Sequence, residues 1–105
     1  MDRKKDIKQK FEPFKKKASK DILIKKMILF GSRAKGKTGK DIDADFIIVS
    51  PDFKNMDFFQ RGAIMYNYWD LRLPVDFLCY SPEEFNQLRK RVSIVSEAIR
   101  EGIEI

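Results

Sequence analysis

Three aspartates and one glycine-serine pair are the residues of this chain whose types and spacing could do chemistry. Asp43 and Asp45 stand one residue apart at the head of an apolar run, Phe46 to Val49. Successive side chains on a strand point to opposite faces, so these two carboxylates converge while Ile42, Ala44 and Phe46 take the other face. Adjacent anions repel each other, and a cation, a basic side chain or solvent must offset them. Magnesium suits such a pair because it takes one or two carboxylates plus substrate phosphates rather than a full protein cage. Ten residues ahead of the pair, Gly31 and Ser32 directly follow the apolar run Met27 to Phe30. A glycine there lets backbone N–H groups turn inward, and the serine hydroxyl adds a donor, which together make a small anion-binding nest. A short helix starting at Ser32 would add its positive end to that field. Arg33 and Lys35 are candidate phosphate contacts, whereas Lys37 and Lys40 read equally well as solvating a loop.

Asp76 lies inside a third apolar stretch, between Val75 and Phe77. An aspartate in that setting needs a reason. Either it faces Asp43 and Asp45 and completes a carboxylate trio, or it is salt-bridged or exposed at an edge. Asp41 is a weaker candidate for the same cluster, because it falls where the loop has not yet become strand.

Composition narrows the chemistry further. The chain has no histidine, which removes serine-histidine triads, histidine-ligated zinc and imidazole bases together. Its one cysteine, Cys79, excludes an intramolecular disulfide and a cysteine-rich zinc site, and its apolar neighbours suggest a buried thiol. A reducing cytoplasm fits this. No apolar run approaches the roughly 18 residues that span a bilayer, and the start of the chain is too charged for a secretory signal. The net charge of +6 is uneven, since residues 1–20 hold nine Lys or Arg against three Asp or Glu. That basic segment reads more readily as a solvated helix face than as a nucleic-acid footprint.

The elements that must position these residues follow from periodicity. Ile7, Phe11, Phe14 and Ala18 recur at helical spacing, which predicts a helix over residues 2–19 that kinks or restarts at Pro13. Strands are expected over 21–30, from Asp43 to Ser50 and over 73–80. Asp57 reads as the N-cap of a helix reaching Asp70, with Phe59, Ala63 and Tyr66 at helical spacing. Ser81 to Glu84 is a capping box with proline at the first helical position, opening a helix to Arg91. A last helix, 92–100, ends at Gly102. The expectation is an α/β (α+β) domain of residues 1–105, with helices on a small mixed sheet of about three strands.

Gly31-Ser32, ten residues, then Asp43-Ala44-Asp45, with Asp76 later, resembles the signature of the minimal nucleotidyltransferases of the DNA polymerase β superfamily. Many of these are antitoxin partners of all-helical HEPN proteins. One position departs from the pattern: the family often has serine directly before the first aspartate, and here it is Ile42. The resemblance implies a polymerase-β-like fold and transfer of a nucleoside monophosphate, AMP from ATP, to a hydroxyl on a HEPN-type toxin. It implies two magnesium ions on Asp43, Asp45 and Asp76, with Asp76 also activating the acceptor, and triphosphate held by Gly31, Ser32 and Arg33. A non-catalytic module that neutralises its partner by docking is the alternative. Self-association is compatible with either, and nucleic acid is not the expected partner.

Overall fold

The computed structural model describes residues 2–105. Helix α1 (Arg3–Ala18) leads into strand β1 (Lys26–Phe30) and a single turn of helix, α2 (Gly31–Ala34). Strand β2 (Ala44–Val49), a 3-10 turn (Pro51–Phe53), α3 (Phe58–Tyr66), β3 (Val75–Tyr80), α4 (Pro82–Leu88), α5 (Ile94–Glu101) and β4 (Ile103–Glu104) follow. The sheet is mixed and runs β3-β2-β1-β4. β1 pairs antiparallel with both β2 and β4, whereas β2 and β3 are parallel. The mixed α/β architecture is the one expected, with a fourth strand added at the C-terminal edge.

β2 explains the layering. Both faces of this strand are covered, so Phe46, Ile47 and Ile48 are each fully buried and the strand reads as a continuous apolar run. Ala44, Phe46 and Ile48 point into the larger core under α1 and α3, where Phe11 and Phe14 pack edge-on and stacked against Phe46. Ile47 and Val49 point the other way, against Val95 and Ala98 of α5. By the same alternation, Asp45 faces the α5 side.

α1 runs unbroken through Pro13, with Asp2 accepting from the amides of Lys4 and Lys5 as its N-cap. β1 is shorter than expected. The segment before it is no strand because Ile22 turns down into the larger core and the Leu23 amide donates to Asp52 instead of to a ladder. α3 also stops early, at Tyr66. Arg61 and Met65 are buried, whereas Phe59 is 86% exposed and Ala63 and Tyr66 are also outside. β4 was missed because a two-residue strand carries no period of its own.

Arg61 sets which face of α3 turns inward. Its guanidinium donates to the carbonyls of Met56 and Cys79, each at 3.1 Å, and to both oxygens of Glu84 at 2.6 and 3.3 Å. Glu84 also accepts from the Ser81 amide at 2.7 Å, which closes the capping box of α4. One buried cation thus ties α3, β3 and α4 together. The hydrogen bond from Arg61 is the main reason that the Glu84 carboxyl sits below the ordinary glutamate range. A depressed carboxylate contributes stability that is present above the ordinary glutamate pKa and is lost as pH falls through its folded value. Arg61→Met is therefore expected to cost about 2–3 kcal/mol at neutral pH, below the figure for a fully buried pair because Glu84 is half exposed. Thermal melts as a function of pH check this: the variant should melt lower at pH 7 and lose much of the wild-type slope on the acid side.

Candidate active site

The site is assembled where the β1 exit meets the start of β2 and β3. In the parallel pair Asp45 lies directly across from Asp76, and in the antiparallel pair it lies across from Phe30. Asp43 is just ahead of β2, two residues from Asp45 and on the same face. One carboxylate oxygen from each of Asp43, Asp45 and Asp76 lies within 4.8 Å of the others. Among the described residues no other cluster of this kind occurs, and Asp41 is not in it.

Gly31 closes the site from the β1 side. Its φ is +74°, a left-handed value, and a Cβ built on it would lie 2.6 Å from Oδ2 of Asp45. The glycine-serine corner thus lies directly against Asp45. Ser32 follows in the single turn of α2, half-buried, with its carbonyl capped by the amides of Lys35 and Lys37.

Arg33, read from the sequence as a phosphate contact, has a different position. It is 8% exposed, and it donates through Nε to the carbonyl of Ile42 at 2.8 Å and through Nη2 to that of Gly39 at 2.6 Å. The guanidinium joins the end of the KGKTGK loop to the residue immediately before Asp43. Lys35 is exposed and pairs with Glu101 at 3.7 Å. Cys79 is buried, which pushes its thiol up to about 12 and leaves it inert at neutral pH.

Tyr66 was not recognised as belonging to the site. Its hydroxyl donates to the carbonyl of Val75 at 2.7 Å, next to Asp76, and its ring meets Phe77 edge-on. Burial, then the Asp76 and Asp43 charges, raise its pKa. No sequence signal marks this residue, because the loop of eight residues between α3 and β3 sets where the hydroxyl lands.

The electrostatics are those of an unneutralised anion cluster. Partial burial, then the charges of Asp76 and Asp43, hold the Asp45 carboxyl above the usual carboxylate range. A carboxylate whose folded pKa is raised opposes folding at neutral pH, and this opposition disappears as pH falls below its folded value. Asp45→Asn is accordingly expected to raise the melting temperature of the metal-free protein at pH 7 while weakening magnesium-induced stabilisation. Differential scanning calorimetry with and without magnesium checks both signs.

The donors in the cluster are all carboxylate oxygens, arranged around a space open to solvent on two of three residues. Such a set fits a hard divalent cation that keeps water or phosphate in its remaining positions. A carboxylate trio at strand ends, with a glycine-serine turn against it, is a set of groups that could hold a divalent cation beside a phosphate.

Comparison with known proteins agrees. The chain belongs to the nucleotidyltransferase domain family, whose profile matches residues 7–101. Its structure is similar to that of a candidate nucleotidyltransferase from Sulfolobus solfataricus, with a TM-score of 0.53 and 18% identity over 83% of this chain and 81% of that one. It is also similar to BolA1 from Arabidopsis thaliana, with a TM-score of 0.55 and 17% identity over 70% of this chain and 92% of that one. At such identity the likeness concerns the fold alone, and the family match carries the activity class. No curated protein matches the chain.

Proposed function

We propose that the protein, acting as one domain over residues 1–105, transfers AMP from ATP to a hydroxyl on a partner protein, an all-helical HEPN-type toxin. The observation that carries the reading is the convergence of Asp43, Asp45 and Asp76 within 4.8 Å, against Gly31. Asp43 and Asp45 would hold both of two magnesium ions, and Asp76 one. Bound magnesium would offset charge on the attacking and leaving oxygens of an in-line displacement at the α-phosphate. Asp76 also takes the proton from the acceptor hydroxyl. The Gly31 and Ser32 backbone and the Ser32 hydroxyl grip the β- and γ-phosphates and steady the departing pyrophosphate. No covalent intermediate on the chain is needed.

A macromolecular acceptor is supported by α3. Phe59, Ala63 and Tyr66 form one exposed face at spacings of four and three, and Phe58 beside them is 51% exposed. The stripe ends at Tyr66, beside Asp76, so a protein seated on it would present its hydroxyl to that acid. The minimal nucleotidyltransferase signature favours a HEPN-type partner, and a cytoplasmic antitoxin role follows from that. The test mixes the protein with labelled ATP, magnesium and an adjacent-gene helical partner, and label should move to the partner.

A second reading, a docking module without catalysis, draws on the same exposed stripe and on Ile42 where relatives often carry serine. It predicts complex formation with no transfer of label.

A further inference from the structure

A cavity of about 200 Å³ opens beside the glycine-serine turn, walled by Phe30, Gly31, Ile94 and Ala98 and rimmed by Lys35, Glu97 and Glu101. We propose that this cavity is the base subsite for the nucleotide, taking an amino-bearing purine over Phe30 and Ile94 with its exocyclic amino group donating to Glu97. The proposal rests on the nucleotidyl-transfer reading and adds to it the place and chemistry of the base.

Position supports it first. Asp45 faces the α5 side of the sheet, and the cavity lies on that side, between the end of β1 and α5. Phe30 is the register partner of Asp45, and Gly31 is in contact with it. A base seated on Phe30 therefore sets its ribose and α-phosphate toward the acids, and its outer phosphates toward Gly31 and Ser32. The groove between α1 and the 35–39 loop, of about 260 Å³, cannot serve in this way. Its walls Ile7, Phe11 and Leu29 belong to the core on the opposite face of the sheet.

Chemistry supports it second. Ile94 is 45% exposed and Phe30 half-buried, so the cavity presents uncovered apolar surface of the kind a flat heterocycle covers. On the rim, Glu101 is tied to Lys35 and to Arg100, each at 3.7 Å. Glu97 has no ion pair of this kind among the described residues. An ionised carboxylate only accepts, so Glu97 suits a ring edge that carries an amino donor and repels the carbonyl edges of uracil. Lys35 offsets part of the rim charge through its pair with Glu101.

Binding of ATP, purine riboside triphosphate, UTP and inorganic tripolyphosphate, each with magnesium, to the full chain by isothermal titration calorimetry tests the assignment. ATP should bind about tenfold more tightly than the purine lacking the amino group, and more tightly still than UTP. Glu97→Ala, on an exposed helical position, should erase the preference for ATP and leave tripolyphosphate affinity unchanged. Ile94→Trp should fill the cavity and weaken ATP at least tenfold, again sparing tripolyphosphate. ATP binding at wild-type strength and selectivity in both variants would overturn the subsite. So would a wild-type protein that binds ATP no better than tripolyphosphate. Neither result bears on transfer itself, which the response of labelling to Asp43→Asn decides separately.

Discussion

Asp43→Asn is expected to lower nucleotidyl transfer to the partner by at least about a thousandfold while leaving the fold and partner docking intact. The substitution keeps size and shape and removes one anion. Asp43 is exposed and precedes β2, so it holds no core position and its loss opens no cavity. Its chemical contribution is different in kind. With an amide in its place the trio loses one of its three charges, and the cation that would bridge them is held less tightly and less centrally. Relief of repulsion on Asp45 should even favour the metal-free fold slightly, since the Asp43 charge is one cause of the raised Asp45 pKa. The measurement pairs transfer of label with co-purification of the two proteins. Loss of label with the complex retained supports catalysis, whereas a variant that still labels its partner at the wild-type rate removes Asp43 from the chemistry.

What could be read from the sequence divides along a physical line. Strand alternation put Asp43 and Asp45 on one face, because that inference depends on local geometry with a fixed period, whereas the place of the glycine-serine turn beside Asp45 rests on the antiparallel pairing of β1 with β2. The trio's third member needed the extra fact that β2 and β3 are parallel and in register at 45 and 76, which the shared signature supplied and local pattern did not. Arg33 shows the limit of reasoning by residue type. A cation next to a phosphate-sized turn invites a phosphate contact, yet the loop carbonyls of Gly39 and Ile42 also accept from Arg33 and draw it to them. α3 shows a second limit. Its apolar residues lie on several faces and do not say which one is buried, but the buried Arg61 anchor to Glu84 and Cys79 fixes the helix about its own axis and leaves Phe59 and Tyr66 exposed. Tertiary polar contacts of this sort leave no periodic trace.

Gly31→Ala is expected to reduce transfer by about a hundredfold, a far larger effect than the addition of one methyl group to a surface turn would have elsewhere. Two costs coincide at this position. The backbone is held at φ +74°, where an L side chain meets the following carbonyl at roughly 1–2 kcal/mol. The new Cβ would also lie 2.6 Å from Oδ2 of Asp45, too close for any real contact, so one of the two must shift. Relaxing the backbone moves the amides of Gly31 and Ser32 away from the phosphates. Relaxing Asp45 instead pulls its carboxylate from the position shared with Asp43 and Asp76. Either movement misplaces a reacting group by a fraction of an ångström or more, and displacements near 1 Å are enough for losses of this size. The same substitution should lower stability by only about 1–3 kcal/mol, because Gly31 is half-buried and the neighbouring Phe30 and Ala34 keep their packing. Steady-state transfer measured well below the variant's melting temperature separates the two effects. A protein that melts near the wild type but transfers poorly places the defect in the turn's contact with Asp45, whereas activity that falls only in proportion to the folded fraction would assign Gly31 to the fold alone.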